Sequence, residues 1–213
     1  MTPGPESDAA FVLALRERGV RDTDVLRAME QVPRERFAPA PHRAQARRDM
    51  ALPLPCGQTM TAPTVVAAML TALGVGSGLS VLEIGTGSGY VTALLLRLGA
   101  ARVDSIERYA TLVEDARGNL GSDARAQVAC GDGLSALAKL ATYDRILVNG
   151  TLAAFPTHLV SALAPGGRLV GALGRAEASR LAILECDGAG LPILRLGVPL
   201  RIARLTPGRA AVF

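Results

Sequence analysis

Aromatic side chains are scarce in this chain: it has no tryptophan, three tyrosines and four phenylalanines. A core must therefore be built from Leu, Val, Ile and Ala. The stacking platforms that read single-stranded nucleic acid are lacking, so no nucleic-acid partner is expected. Histidine is as rare. His42 and His158 belong to no Ser-His-Asp order and no His/Cys cluster, and both are read as surface or packing residues. The cysteines, Cys56, Cys130 and Cys186, are odd in number and far apart. That spacing speaks against a disulfide framework or a metal site, and Cys56 is assigned a packing role. No apolar run reaches the ~18 residues of a membrane span. Nor does the stretch Met1–Ala10 show the basic-then-apolar layout of a signal peptide. A cytoplasmic location without a membrane partner is the expectation. Strong charge is missing too, since 23 Lys and Arg against 19 Asp and Glu leave +4. The densest basic stretch, Arg34, Arg36, Arg43, Arg47 and Arg48, is read as a solvated face; the functional alternative is a rim that attracts an acidic substrate.

What is present is ordered. The chain has 213 residues, 49% of them hydrophobic and 20% charged, which suits a globular protein with a sizeable core. Residues 6–31 read as two short helices. Asp22 is placed to cap the second, with Val25, Leu26, Met29 and Val32 on one face, and Pro33 stops it. Residues 33–63 hold six prolines and little periodicity, the mark of a long structured loop with a functional task.

A helix over about 63–73 follows, then the apolar run Ser80–Ile84, a glycine-rich turn and a helix at Tyr90–Leu98. The alternation continues with strands at Arg102–Ile106, Ala126–Ala129, Arg145–Val148 and Gly167–Leu173. Helices are expected between them at Ala110–Leu120, Leu134–Leu140 and Pro156–Leu163. This is the pattern of crossover units on a mostly parallel, doubly wound α/β sheet. Arg180–Glu185, the Asp187-Gly188 turn and Pro192–Leu205 read instead as strands without helices, an antiparallel C-terminal edge.

The most informative segment is Val81-Leu82-Glu83-Ile84-Gly85-Thr86-Gly87-Ser88-Gly89-Tyr90. Its glycines let a ligand approach the backbone. Their G-x-G-x-G spacing differs from the G-x-G-x-x-G of dinucleotide sites, and Glu83 would repel a phosphate. Glu83 is placed to accept hydrogen bonds from a cationic amine, such as that of S-adenosylmethionine. Glu107, at the end of the next strand, can accept both hydroxyls of a ribose. Asp132 within Gly131-Asp132-Gly133, at the end of the third, can accept an adenine amino group. These acids share the crevice where open α/β sheets bind ligands.

Beyond the glycine turn, the chain carries Gln31-Val32-Pro33-Arg34-Glu35-Arg36-Phe37, Ala51-Leu52-Pro53-Leu54 and Gly57-Gln58-Thr59-Met60-Thr61-Ala62-Pro63. With VLEIGTGSGY, Glu107-Arg108 and Gly131-Asp132-Gly133, these resemble the protein-L-isoaspartate (D-aspartate) O-methyltransferase family over nearly the whole chain. The resemblance implies a Rossmann-like class I methyltransferase fold with added N-terminal helices. Residues 1–213 would form a single domain: 1–62 the helices and substrate loop, 63–175 the cofactor-binding core, 176–213 the C-terminal strands. It implies transfer of a methyl group from S-adenosylmethionine to the free carboxylate of L-isoaspartyl and D-aspartyl residues in damaged proteins; no metal is expected, and a monomer is favoured. Carried over by position, the active-site serine falls on Thr61. Gln58, Thr59, Met60, Gly85, Thr86, Gly87, Ser88, Gly89, Glu107, Arg108, Asp132 and Gly133 join Glu83 around the cofactor. Thr59, Thr61 and Thr206 face the substrate.

The chain departs from the family pattern at Thr61, at Pro55-Cys56 where the family has a glycine-containing pair, along Asn149–Pro156 and at Arg201–Leu205. Two further readings therefore stand beside repair: methylation of another carboxylate, such as an aspartate in a peptide natural product, and binding of S-adenosylmethionine without catalysis. A nicotinamide-dependent oxidoreductase is disfavoured by Glu83 and the glycine spacing. Carboxylate methylation needs no general base, because an aspartyl-type acid of pKa ~3.9 is already ionised at neutral pH. Alignment and removal of water do the work, and alignment alone can supply roughly 7–11 kcal/mol.

Overall fold

Asp22 opens the second helix as its position predicts. Its carboxylate accepts the N–H groups of Asp24 and Val25, each at 3.1 Å, donors that a helix start leaves unpaired. The computed structural model describes residues 5–135, 141–175, 178–186 and 191–210. Helices α1 (Pro5–Glu17) and α2 (Thr23–Gln31) lead into a stretch of short 3-10 turns and a minimal hairpin, β1 (Leu52–Pro53) with β2 (Thr59–Met60).

Arg34 holds that irregular stretch together, which corrects its reading as part of a solvated face. Only 1% exposed, its guanidinium donates to the carbonyls of Ala46 (2.6 Å), Met50 (3.2 Å), Met60 (3.3 Å) and Thr61 (2.9 Å). Buried carbonyls need partners, and a planar cation with five donors supplies them where a ladder of strands does not. Burial draws the Arg34 pKa below its ordinary value. Arg47 is likewise engaged, paired with Asp8 and Glu35. Arg36, Arg43 and Arg48 do face solvent.

Helix α3 (Pro63–Leu73) precedes the main sheet. The strands are β3 (Ser80–Ile84), β4 (Arg102–Glu107), β5 (Ala126–Cys130), β6 (Tyr143–Leu152), β7 (Leu163–Arg175), β8 (Ala178–Cys186) and β9 (Pro192–Leu200). Their order across the sheet is β5-β4-β3-β6-β7-β8-β9. The first five run parallel, and β8 and β9 are antiparallel to their neighbours. Helices α4 (Tyr90–Arg97), α5 (Ala110–Leu120) and α6 (Thr157–Ser161) lie in the crossovers. Alternate residues of a strand point to opposite faces: Val81, Val103 and Leu147 join the core under α1–α4, while Leu82, Ile84 and Ile146 join the core at α6. The chain order reverses between β3 and β6, and at such a switch point the C-terminal strand tips frame a crevice.

Some elements differ from expectation. Strands β6 and β7 are longer, and α6 shorter, than the periodicity suggests. Leu134–Leu140 was expected as a helix, of which 136–140 lie outside the described residues, as does the Asp187-Gly188 turn. The last strand stops at Leu200 rather than Leu205, because the following segment is drawn to β6. Thr151 N–H donates to the Ala203 carbonyl (2.8 Å) and Leu205 N–H to the Thr151 carbonyl (3.1 Å). No helix among the described residues is long and apolar enough to cross a membrane.

Candidate functional site

The strand tips of β3, β4, β5 and β6 frame a pocket open to solvent, at the crevice where open α/β sheets bind ligands. The turn after β3 forms its floor. Gly85 has φ +94°, and a Cβ there would lie 3.3 Å from the Asn149 carbonyl oxygen, so glycine answers both the conformation and the space. Gln58, Thr59 and Thr61 enter from the loop that Arg34 clamps. Gly85 and Gly87 come from the turn, Glu107 from the last position of β4 and Arg108 from just beyond it, Asp132 and Gly133 from the segment after β5, and Thr206 from the tail. An adjoining recess, sharing Thr59, Thr61, Gly87 and Asn149 with the pocket, takes in Met60, Thr86 and Ser88.

Glu107 is nearly buried. Its two oxygens accept the N–H groups of Gly87 (3.0 Å) and Tyr109 (3.1 Å), which leaves each a lone pair for a further donor. Asp132 accepts from Leu134 N–H (3.0 Å), from the Ser135 hydroxyl and from Gly208 N–H (2.6 Å). Partial burial opposes ionisation, but these hydrogen bonds prevail and hold Asp132 below the usual carboxylate range. Arg108 stacks over the Tyr109 ring and donates to the Thr206 carbonyl at 3.1 Å. Together with Gly208 on Asp132 and Arg209 on the Cys130 carbonyl (3.2 Å), it fastens the tail across the strand tips as a strap.

Two expected contacts need correction. Glu83 does not face the pocket: it is fully buried on the α4 side of β3, because the alternation of the strand turns it away from the crevice. One oxygen accepts from Thr92 (2.5 Å) and Ser105 (2.7 Å), and the other, Oε1, has no partner. Burial, more than the nearby charge of Glu107, pushes the pKa up to about 7. Gly89 also lies outside, against Ala116 and Leu120 of α5. Cys56 has φ +59°, a left-handed conformation that costs an L-residue roughly 1–2 kcal/mol. A glycine-containing pair at this position would relieve it.

Sequence reasoning missed Ile84, Ile106, Tyr109, Leu112, Leu134, Asn149 and Ala203–Leu205, all of which line the pocket. The apolar ones read as core. Asn149 and Ala203–Leu205 did carry a signal, as places where the chain departs from the family pattern. The two departures meet: a Cβ on Gly150 would sit 2.4 Å from Leu205 Cγ, so the glycine makes room for the leucine beside the site.

The profile of the family described as protein-L-isoaspartate(D-aspartate) O-methyltransferase matches residues 6–192. The chain is 47% identical to protein-L-isoaspartate O-methyltransferase 2 of Rhodopseudomonas palustris (strain HaA2), over 82% of this chain and 80% of the relative. It is 42% identical to the protein-L-isoaspartate O-methyltransferase of Azorhizobium caulinodans, over 96% and 94%. Among solved structures, a Plasmodium falciparum protein described as a protein-L-isoaspartate O-methyltransferase, in complex with S-adenosyl-L-homocysteine, superposes with a TM-score of 0.82. The match covers 92% of this chain and 97% of that one, at 21% identity. It establishes the same class I methyltransferase fold.

Proposed function

The chain belongs to the protein-L-isoaspartate(D-aspartate) O-methyltransferase family, and from that premise we infer that it methylates the free carboxylate of L-isoaspartyl residues in proteins and peptides, initiating their repair in the cytoplasm. S-adenosylmethionine, when bound, supplies the electrophilic methyl group on its sulfonium.

The donor set suits that cofactor. Glu107 keeps an acceptor position on each oxygen for the ribose hydroxyls, Asp132 keeps one on Oδ1 for an adenine amine, and Ile84, Ile106 and Leu134 flank them with apolar surface. Glu83 supports the turn from beneath, through Thr92 and Ser105, rather than by direct contact. Thr61, 9% exposed at the junction of pocket and recess, orients the incoming carboxylate with its hydroxyl. Thr59 and Thr206 wall its approach. No side chain needs to accept a proton, because the substrate arrives ionised. The chain aligns the anion and strips its water, the two effects that an in-line displacement requires.

The observation that carries this reading is the meeting, in one pocket, of the Gln58–Thr61 loop with the glycine turn, Glu107 and Asp132. A synthetic isoaspartyl peptide and its normal aspartyl twin, each incubated with labelled methyl donor, test it. Label is expected in the isoaspartyl peptide and to be lost again on mild base treatment, as from an ester. Equal labelling of both would instead favour a methyltransferase for ordinary carboxylates. Binding of S-adenosylhomocysteine with no labelling would leave a non-catalytic binder.

A further inference from the structure

Thr61 is held at two points by groups outside its own loop. Its carbonyl accepts from Arg34 at 2.9 Å, as that of Met60 does at 3.3 Å, so the backbone beneath the side chain is fixed. Its hydroxyl donates to Asn149 Oδ1 at 3.3 Å, and Asn149 Nδ2 donates to the Gly85 carbonyl at 3.1 Å. The Gly85 carbonyl can only accept, so the amide nitrogen must face it and the amide oxygen must face Thr61. Gly85 is itself anchored, its N–H donating to the Ile106 carbonyl at 2.9 Å. A single amide therefore ties the hydroxyl to the cofactor turn.

We propose that Asn149 is a positioning residue for methyl transfer, which acts by holding the Thr61 hydroxyl at a fixed distance from the glycine turn until a substrate carboxylate replaces the amide oxygen as acceptor of the hydroxyl's hydrogen bond. A threonine hydroxyl has one proton to give. The amide oxygen holds it over a long contact, and an ionised carboxylate is the stronger acceptor, so the exchange costs little and leaves the oxygen already in place. With the backbone clamped by Arg34, rotation about the Thr61 side chain is the freedom that remains, and Asn149 removes it. The proposal rests on the reading of Thr61 as the substrate-orienting hydroxyl.

The test is a double-mutant cycle on Thr61→Ala and Asn149→Ala. It measures kcat and KM with the isoaspartyl peptide, and S-adenosylhomocysteine affinity by calorimetry. Asn149→Ala is expected to lower kcat by about tenfold, with cofactor affinity changed by less than about twofold. The double variant should be no slower than Thr61→Ala alone, since residues acting through one another are non-additive. Additive losses, or a fall in cofactor affinity in step with kcat, would overturn the proposal and leave Asn149 as a support of the turn. Should Asn149→Ala not fold, the isosteric Asn149→Asp serves. Its charge opposes the substrate anion, so KM for the peptide should rise by about tenfold, and an unchanged KM overturns the idea. If the wild-type protein methylates no isoaspartyl peptide, the parent reading falls and this one with it; additive losses in an active wild type sink this one alone.

Discussion

Glu83 is an acid kept out of water with one oxygen unpaired. Its pKa, ordinarily 4.5, is pushed up to about 7 by burial. The folded chain therefore holds this proton more tightly than the unfolded chain does, and ionising it works against the fold. The sign follows from linkage: stability from this group is intact below about pH 4.5 and is lost as pH rises through about 7, to an extent of about 3 kcal/mol at most. Glu83→Gln keeps the shape and removes the titration. Urea unfolding at about pH 5 and about pH 8 should show the variant gaining on the wild type by up to that amount across the interval. Parallel profiles would mean that the acid costs nothing where it lies. Arg34 shows the opposite bargain, a buried cation with its charge distributed over main-chain carbonyls. Neither state was legible from residue type alone. A glutamate beside glycines reads as a ligand contact, and an arginine in a basic run reads as solvated; only the alternation of β3 and the convergence of the Ala46, Met50, Met60 and Thr61 carbonyls on one guanidinium decide otherwise.

At the level of elements, the parallel core was legible because its periodicity is strong and its turns are marked by glycine. The helices α3, α4 and α5 fall where the pattern puts them, and β3 does so residue for residue. The C-terminal segment was not, since 192–205 reads as one extended run and nothing local reveals that its end leaves β9. What redirects it is distant in sequence: the notch at Gly150 and the free main-chain groups of Thr151 on β6. This coupling can be tested. Gly150→Ala places a methyl 2.4 Å from Leu205 Cγ and should dislodge the strap. Affinity for S-adenosylhomocysteine should then fall by about tenfold or more, read by calorimetry. Trimming the obstacle in Gly150→Ala/Leu205→Ala should recover most of the loss. Failure of the double variant to recover would assign the defect to β6 itself. The candidate site was half legible for the same reason. Residues in the glycine turn and at the ends of β4 and β5 carry recognisable spacing, whereas Asn149 and Leu205 gain their place only when β6 and the tail meet.

Over the whole molecule, the two ends of the sheet differ. The β5 side carries the pocket, while β9 ends the strand order on the other side with Ile193, Leu194, Leu196 and Val198 exposed, Leu196 at 54%. An apolar edge strand is a template for unwanted pairing. Leu196→Lys should raise the temperature at which heated solutions begin to scatter light and leave S-adenosylhomocysteine binding unchanged; an unaltered onset would place the liability elsewhere. The strap at the pocket side has a consequence for what binding can sense. Ala203–Thr206 line the crevice while Ala203 and Leu205 bond to Thr151 of β6, so a ligand seated there rests on the tail as well as on the strand tips. Without residues 203–206 the chain would keep Glu107 and Asp132 yet lack that wall. Whatever loosens the tail from β6 therefore opens the crevice too.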